Sequence, residues 1–277
     1  MSPAPLAAMP EAVRRSIRYV LTDIDDTLTT DGKLTAAAYA ALERLHDAGR
    51  IVVPVTGRPA GWCDHIARMW PVNAVVGENG AFYMRYERAS RKLATRYAEM
   101  PTATGREALR ARLARIGAEV LAAVPGAALA SDQHYRETDL AIDWCEDVPA
   151  LPRSEVDRIV ALLEARGMTV KLSSIHVNAW FGSYDKLSTT RLLVSEAFGE
   201  DLDAIRDAVV FAGDSPNDAP MFAYFPNAVG VANLARFLDR VPTPPTWMTT
   251  REAGGGFSEL ADFLLAAPDL LPGQFVP

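Results

Sequence analysis

Three acidic residues stand together in Asp23-Ile24-Asp25-Asp26-Thr27-Leu28-Thr29, directly behind an apolar, β-branched run, SIRYVLT, at 16–22. Ligand sites in parallel α/β sheets gather at the carboxyl ends of strands, and a spacing of i, i+2 across a strand-to-loop junction lets Asp23 and Asp25 reach one such site. Carboxylates this close repel each other unless a cation neutralises them. Mg2+ fits best, since it takes oxygen ligands and shares them with a phosphate. Gly213-Asp214-Ser215-Pro216-Asn217-Asp218 also follows an apolar run, so Asp214 and Asp218 add carboxylates to the same rim. A third segment, Val55-Thr56-Gly57-Arg58, offers a hydroxyl and free backbone amides to a phosphate oxygen at another strand end. Lys186 adds a cation where the core pattern resumes.

These groups need elements to hold them. Apolar runs at 16–22, 51–55 and 74–76 read as buried strands, and helical spacing at 35–48 and 60–69 supplies the crossovers between them. Gly49 marks the first helix stop. The middle of the chain differs: a hairpin at 81–97, a long helix at 104–124, a strand at 135–144, a helix at 153–166 with Ser154 as N-cap, and strands at 169–173 and 176–181. The parallel pattern returns with a helix at 187–198, a strand at 208–212, a helix at 217–225, a strand at 228–231 and helices at 234–238 and 257–265. The reading is an α/β fold: a discontinuous Rossmann-like core with a parallel sheet (1–80 and 186–277) and an inserted α+β unit (81–185).

Composition narrows the function. At 277 residues with 49% apolar content, the chain can bury a large core, and a net charge of −7 gives no general attraction for nucleic acid or anionic membrane. Two distant cysteines, Cys63 and Cys145, suit neither a disulfide framework nor a zinc site. No run approaches a membrane span and the N-terminus lacks a signal-peptide pattern, so the expectation is a soluble, cytoplasmic protein.

Taken in order, the four segments resemble the motifs of the haloacid dehalogenase (HAD) superfamily: Asp23, Asp25 and Thr27 match its DxDxT-like motif, Thr56 its threonine motif, Lys186 its lysine motif, and Gly213, Asp214 and Asp218 its GDxxxD-type motif. The insertion between the threonine and lysine motifs, preceded by Gly77-Glu78-Asn79-Gly80-Ala81, is similar to the type IIB subgroup. That subgroup carries a C2B cap and includes Cof-type, sucrose-phosphatase-like and mannosyl-3-phosphoglycerate-phosphatase-like enzymes. Asp26 departs from the glycine usual at its position, which bears on the local turn.

The resemblance implies a Mg2+-dependent phosphatase. Asp23 would attack phosphorus to form an aspartyl-phosphate, and Asp25 would act first as general acid and then as general base. Mg2+ would be held by Asp23, the backbone carbonyl of Asp25, and Asp214, with Asp218 close by. Thr56, Lys186 and Asn217 would hold the phosphoryl group. From the cap side, Glu78, Asn79, Arg136, Ser173, Ser174, His176 and Asn178 are the candidates for the leaving group, a sugar phosphate or related metabolite. A phosphomutase of the same superfamily and a non-catalytic phosphate-binding module are the alternatives.

Overall fold

The computed structural model describes residues 2–99 and 103–266. Its central sheet runs Ala4–Pro5, Trp247–Met248, Asn227–Gly230, Val209–Gly213, Tyr19–Thr22, Ile51–Pro54, and every neighbouring pair is parallel. A parallel bridge from Val55 to Val76 carries the sheet on to Val75–Gly77. The chain then turns antiparallel into the hairpin Phe82–Glu87 and Lys92–Tyr97. The short strands Ala4–Pro5, at the edge, and Trp247–Met248, next to it, were not expected from sequence; two residues are too few to show alternation.

Burial on both faces explains the near-continuous apolar strands. Val20, Val52, Val210 and Val229 point to one side, where Leu42, Leu45, Phe257, Leu260 and Leu264 cover them. Tyr19, Leu21, Val53, Phe211 and Ala228 alternate to the other, against Leu193, Val194, Met221 and Phe222. The crossover helix Ala36–Asp47 is capped by Thr35, whose hydroxyl accepts from the Ala38 amide, and ends before Gly49 at φ 76°. Helix Ala253–Leu265 begins earlier than expected and takes in the glycine run. A Cβ at Gly254 would lie 2.6 Å from the Leu28 carbonyl oxygen, so the absence of side chains brings this helix onto the loop behind Asp23.

The inserted sheet is antiparallel, in the order Thr169–Leu172, His176–Trp180, Asp139–Asp143, Ala128–Leu129. Leu140, Ile142, Val177 and Ala179 pack under helices Ala103–Ala123 and Arg153–Glu164. Alternation leaves Asp139, Asp143, His176 and Asn178 on the opposite face, toward the core. The second helix is preceded by Pro152 and has no side-chain cap, so Ser154 lies inside its first turn. The expected strand at 135–144 is shorter, because 133–135 form a turn of 3-10 helix. Among the described residues no helix is long and apolar enough to cross a membrane.

Two segments flank the insertion expected from sequence at 81–185. The first is Glu78-Asn79-Gly80, with φ of 44°, 55° and 108°. The second ends at Asp185, which caps the helix Lys186–Phe198 through the Ser188 amide. They touch at Gly80, where a Cβ would lie 2.0 Å from the Asp185 carbonyl oxygen. Gly80→Ala therefore displaces the start of the helix that carries Lys186. We expect it to cost about 3 kcal/mol or more, a fall in Tm of roughly 6–12 °C. Gly167→Ala, at φ 74° with open space around its Cβ, costs only about 1–2 kcal/mol. Thermal denaturation of the two variants side by side checks the contrast.

Candidate active site

The carboxyl ends of the central strands converge on one cleft. Asp23 follows Tyr19–Thr22, and its amide donates to the Ala212 carbonyl 2.8 Å away, which fixes it against the strand that ends at Asp214. Lys186 Nζ reaches across to Asp23 Oδ1 at 2.8 Å and Asp218 Oδ1 at 2.6 Å. The second Asp218 oxygen accepts from the Asp214 and Ser215 amides. Asp214 has weaker partners: Thr27 Oγ1 at 3.2 Å and Asn233 Nδ2 at 3.4 Å. All four charged side chains are buried.

This burial has an electrostatic cost. Loss of solvent, with repulsion from Asp218 and Asp25, pushes Asp23 up to about 7 against the pull of Lys186. Asp214 is also raised well above the usual aspartate range, by burial and then by Asp23 and Asp218. Burial opposes the charge on Lys186, yet Asp218 and Asp23 raise its affinity for a proton. One lysine thus faces three carboxylates, Asp23, Asp214 and Asp218, whose nearest oxygens all lie within 4.8 Å of one another. A hard, all-oxygen donor set with surplus negative charge fits a divalent cation.

The Asp25 carboxylate turns away from this group. Arg58 grips it with Nε 2.9 Å from both oxygens and Nη2 2.7 Å from Oδ1. Asp26 lies at φ 54°, in the left-handed region that glycine and aspartate tolerate best. Its amide donates to Thr29 Oγ1 and its carbonyl accepts from Asn233 Nδ2. The turn that a glycine would make is thereby formed with aspartate.

Thr56 is buried at its strand end, its Oγ1 accepting from the Arg58 amide. Asn217 Nδ2 lies 3.4 Å from Asn79 Oδ1. From the inserted unit, Ser173, His176 and Asn178 join Asp23, Asp25, Gly57, Arg58 and Asn217 around a cavity of about 10 Å³, room for no more than a water. A larger cavity of about 650 Å³ adjoins it; Asp25, Asp26, Arg58, Trp144, Glu146, Ser174, Asp214, Asn233, Arg236 and Phe237 are among the residues lining it.

Two residues expected at the substrate lie elsewhere. Both oxygens of the buried Glu78 carboxylate are taken: Oε1 accepts from the Ala60 and Glu137 amides, and Oε2 from the Thr138 amide and hydroxyl. Its position between two chain segments makes it a tie across the junction. Arg136 has a fully buried side chain and is held by Asp132 and Asp139, with Nη1 donating to the Gly57 carbonyl at 2.8 Å. Trp144 lines the larger cavity, whereas Trp180 is buried against Tyr184.

Three participants had no role assigned from sequence. Arg58 was noted only as part of the threonine segment. Glu146 and Asn233 each follow a strand, Asp139–Asp143 and Asn227–Gly230, and strand-end position was the signal that could have found them. Glu146 lies 2.6 Å from Arg58 Nη2 and 2.8 Å from His176 Nε2. Burial pushes its carboxyl up, but His176 and Arg58 hold it down to about 2.

No curated protein matches the chain. Its fold is similar to that of Thermoplasma acidophilum 0175 (18% identity, TM-score 0.65, covering 90% of this chain and 98% of that one). It is also similar to the C-terminal domain of C. albicans trehalose-6-phosphate phosphatase (15% identity, TM-score 0.72, 97% and 100% covered). A third similar fold is that of the sucrose-phosphatase from Synechocystis sp. PCC6803, solved with sucrose and phosphate (15% identity, TM-score 0.57, 90% and 98% covered). Residues 20–103, which carry the Asp23 and Thr56 segments, match the family model of haloacid dehalogenase-like hydrolases. Over nine tenths of its length the chain therefore shares the fold of these proteins, an α/β core with an inserted cap, and its first third is similar to haloacid dehalogenase-like hydrolases.

Proposed function

We propose that the protein is a Mg2+-dependent phosphatase that hydrolyses a small phosphomonoester, a sugar phosphate or related metabolite, through an aspartyl-phosphate on Asp23. The observation that carries this reading is the position of Asp23: a buried carboxylate at the end of the central strand, hydrogen-bonded to Lys186 and facing His176 and Asn178 of the cap across a closed pocket.

Asp23 Oδ2, free of the lysine, attacks phosphorus, and the ester oxygen leaves on the far side. Lys186 holds Asp23 and offsets charge on the phosphoryl oxygens, with Thr56 and Asn217 as further donors. Asp25, at the border of the small pocket and the larger cavity, gives a proton to the departing alcohol and takes one from the water that splits the aspartyl-phosphate. Asp23, Asp214 and the Asp25 carbonyl would hold Mg2+, with Asp218 beside it, and the ion would supply charge neutralisation for the phosphoryl group. The larger cavity has the volume of a small-molecule site and suits the leaving group, with Ser174 and Asn233 as hydrogen-bonding groups. Ser173, His176 and Asn178 close the pocket over the phosphate.

We assign the Phe82–Tyr97 hairpin to the core unit, because Phe82, Met84 and Tyr83 pack into the core clusters. The free thiols of Cys63 and Cys145 suit a reducing compartment such as the cytoplasm.

Release of inorganic phosphate from a panel of sugar phosphates, phosphoglycerate derivatives and nucleotides tests the reaction. Wild type with Mg2+ should release phosphate; EDTA or Asp23→Asn should lower the rate by at least about 10³-fold, as loss of a nucleophile does. Phosphate that moves between hexose positions when a bisphosphate is supplied, without release, would replace the hydrolase with a mutase. The metal site makes a separate prediction. A carboxyl raised to about 7 in the folded protein binds its proton more tightly than in the unfolded chain. Metal-free stability therefore falls as pH rises from the ordinary aspartate range, about 3.9, through about 7. Mg2+ competes with those protons, so the Tm gain on adding it should be small in acid and grow through neutral pH. Asp214→Asn should abolish most of that gain, and a gain independent of pH would remove the carboxylates from the metal site.

A further inference from the structure

Among the described residues no cap side chain hydrogen-bonds to Asp25. Cap side chains reach Arg58, and we propose that Arg58 is a positioning residue through which the closed cap sets the place of the Asp25 carboxylate. The inference rests on the hydrolase reading above, in which Asp25 serves the leaving group.

The guanidinium is 3% exposed and spends its donors on three carboxylates from three parts of the chain. Asp25 takes Nε and Nη2 in a two-pronged grip. Asp132 takes Nη1 at 3.2 Å, and Glu146 takes Nη2 at 2.6 Å. The remaining face lies under the Trp62 ring, 4.3 Å from its centroid. A planar fork with five donors can satisfy such a set; an ammonium cannot. The cap partners are themselves fixed. Asp132 also holds Arg136, which pairs with Asp139, and Asn178 Nδ2 lies 3.3 Å from Asp139. Glu146 is held by His176. Arg136 also fastens the Gly57 carbonyl, so the turn that projects Arg58 is clamped at its backbone and at its side chain. Arg58 borders both the small pocket at Asp23 and the larger cavity, and so sits where ester oxygen and leaving group meet. With four of its five N–H groups given to carboxylates it is better placed to hold Asp25 beside the departing oxygen than to bind substrate.

A residue that positions the acid can be told from one that merely supports the fold by its dependence on the leaving group. An alkyl phosphate needs its departing oxygen protonated; p-nitrophenyl phosphate, which releases a stable phenolate, hardly does. We compare kcat/KM, which reports steps up to departure of the alcohol, for the best sugar phosphate and for p-nitrophenyl phosphate. Arg58→Gln should lose on the order of 10²-fold on the sugar phosphate and under about 5-fold on the aryl ester. Arg58→Lys should show the same selectivity, because one ammonium cannot reproduce the grip. Glu146→Gln should lose less, in the same sense, and add little in the double variant with Arg58→Gln, since both act through one path. Thermal denaturation accompanies each assay. Should Arg58→Gln fail to fold, Glu146→Gln, which leaves Arg58 and Asp25 in place, carries the test. Equal losses on both esters in the folded variants, or additive losses from Arg58 and Glu146, overturn the proposal while the hydrolase reading stands. A wild-type protein inactive on both esters removes both.

Discussion

The carboxyl edge of the central sheet has to hold Asp23, Asp25, Asp214 and Asp218 almost out of water without letting their charges drive the structure apart. Each is offset by a different device. Lys186 is shared between Asp23 and Asp218. Two backbone amides take the second Asp218 oxygen. Arg58 takes Asp25. Among the described residues Asp214 receives two long hydrogen bonds, from Thr27 and Asn233, and is the carboxylate left most in need of a cation. Buried charges are tolerated when paired and hydrogen-bonded, and they shift their proton affinity when they are not. The upward shifts of Asp23 and Asp214 mark where the protein's own charges fall short.

The same constraint reaches into the cap. The inserted sheet alternates strictly, with Val177 and Ala179 under its helices and His176 and Asn178 toward the core. A single period of two therefore builds both the cap's apolar core and its polar lid. The lid pairs with the core through charge: Arg58 with Asp132 and Glu146, Arg136 with the Gly57 carbonyl.

Much of this was legible in the sequence because the governing patterns are local. Buried parallel strands read as continuous apolar runs, and an acidic residue directly after such a run stands at a strand end by construction. Asp23, Thr56 and Asp214 were found that way. Lys186 needed the resemblance as well, since a lysine at a helix start carries no signal of its own. The cap candidates were harder. His176 and Asn178 alternate in a strand and face the cleft, but Arg136 and Glu78 are buried among partners 3 to 79 residues away, which no local pattern reveals. Arg58 is the clearest case: its neighbours Asp25, Asp132 and Glu146 lie 33, 74 and 88 residues off in sequence. Ion-pair partners this far apart in sequence follow no periodicity, so they become visible only once the fold brings them together.

The geometry also decides how substrate can enter. A space of about 10 Å³ between Asp23 and the cap holds no phosphoryl group, so exchange requires the contacts across it to part. Those contacts are chiefly ion pairs and hydrogen bonds, which water can replace, whereas separating apolar surfaces would forfeit their burial. The junction itself is built differently. Glu78 has no exposed surface, and its carboxylate joins the start of helix Ala60–Met69 to the Glu137–Thr138 segment through four hydrogen bonds. Breaking them would strand a buried carboxylate at a cost of several kcal/mol, more than the replaceable contacts at the cleft demand. Parting the Arg58 contacts while the Glu78 cluster stays intact is therefore the cheaper way to open the cleft.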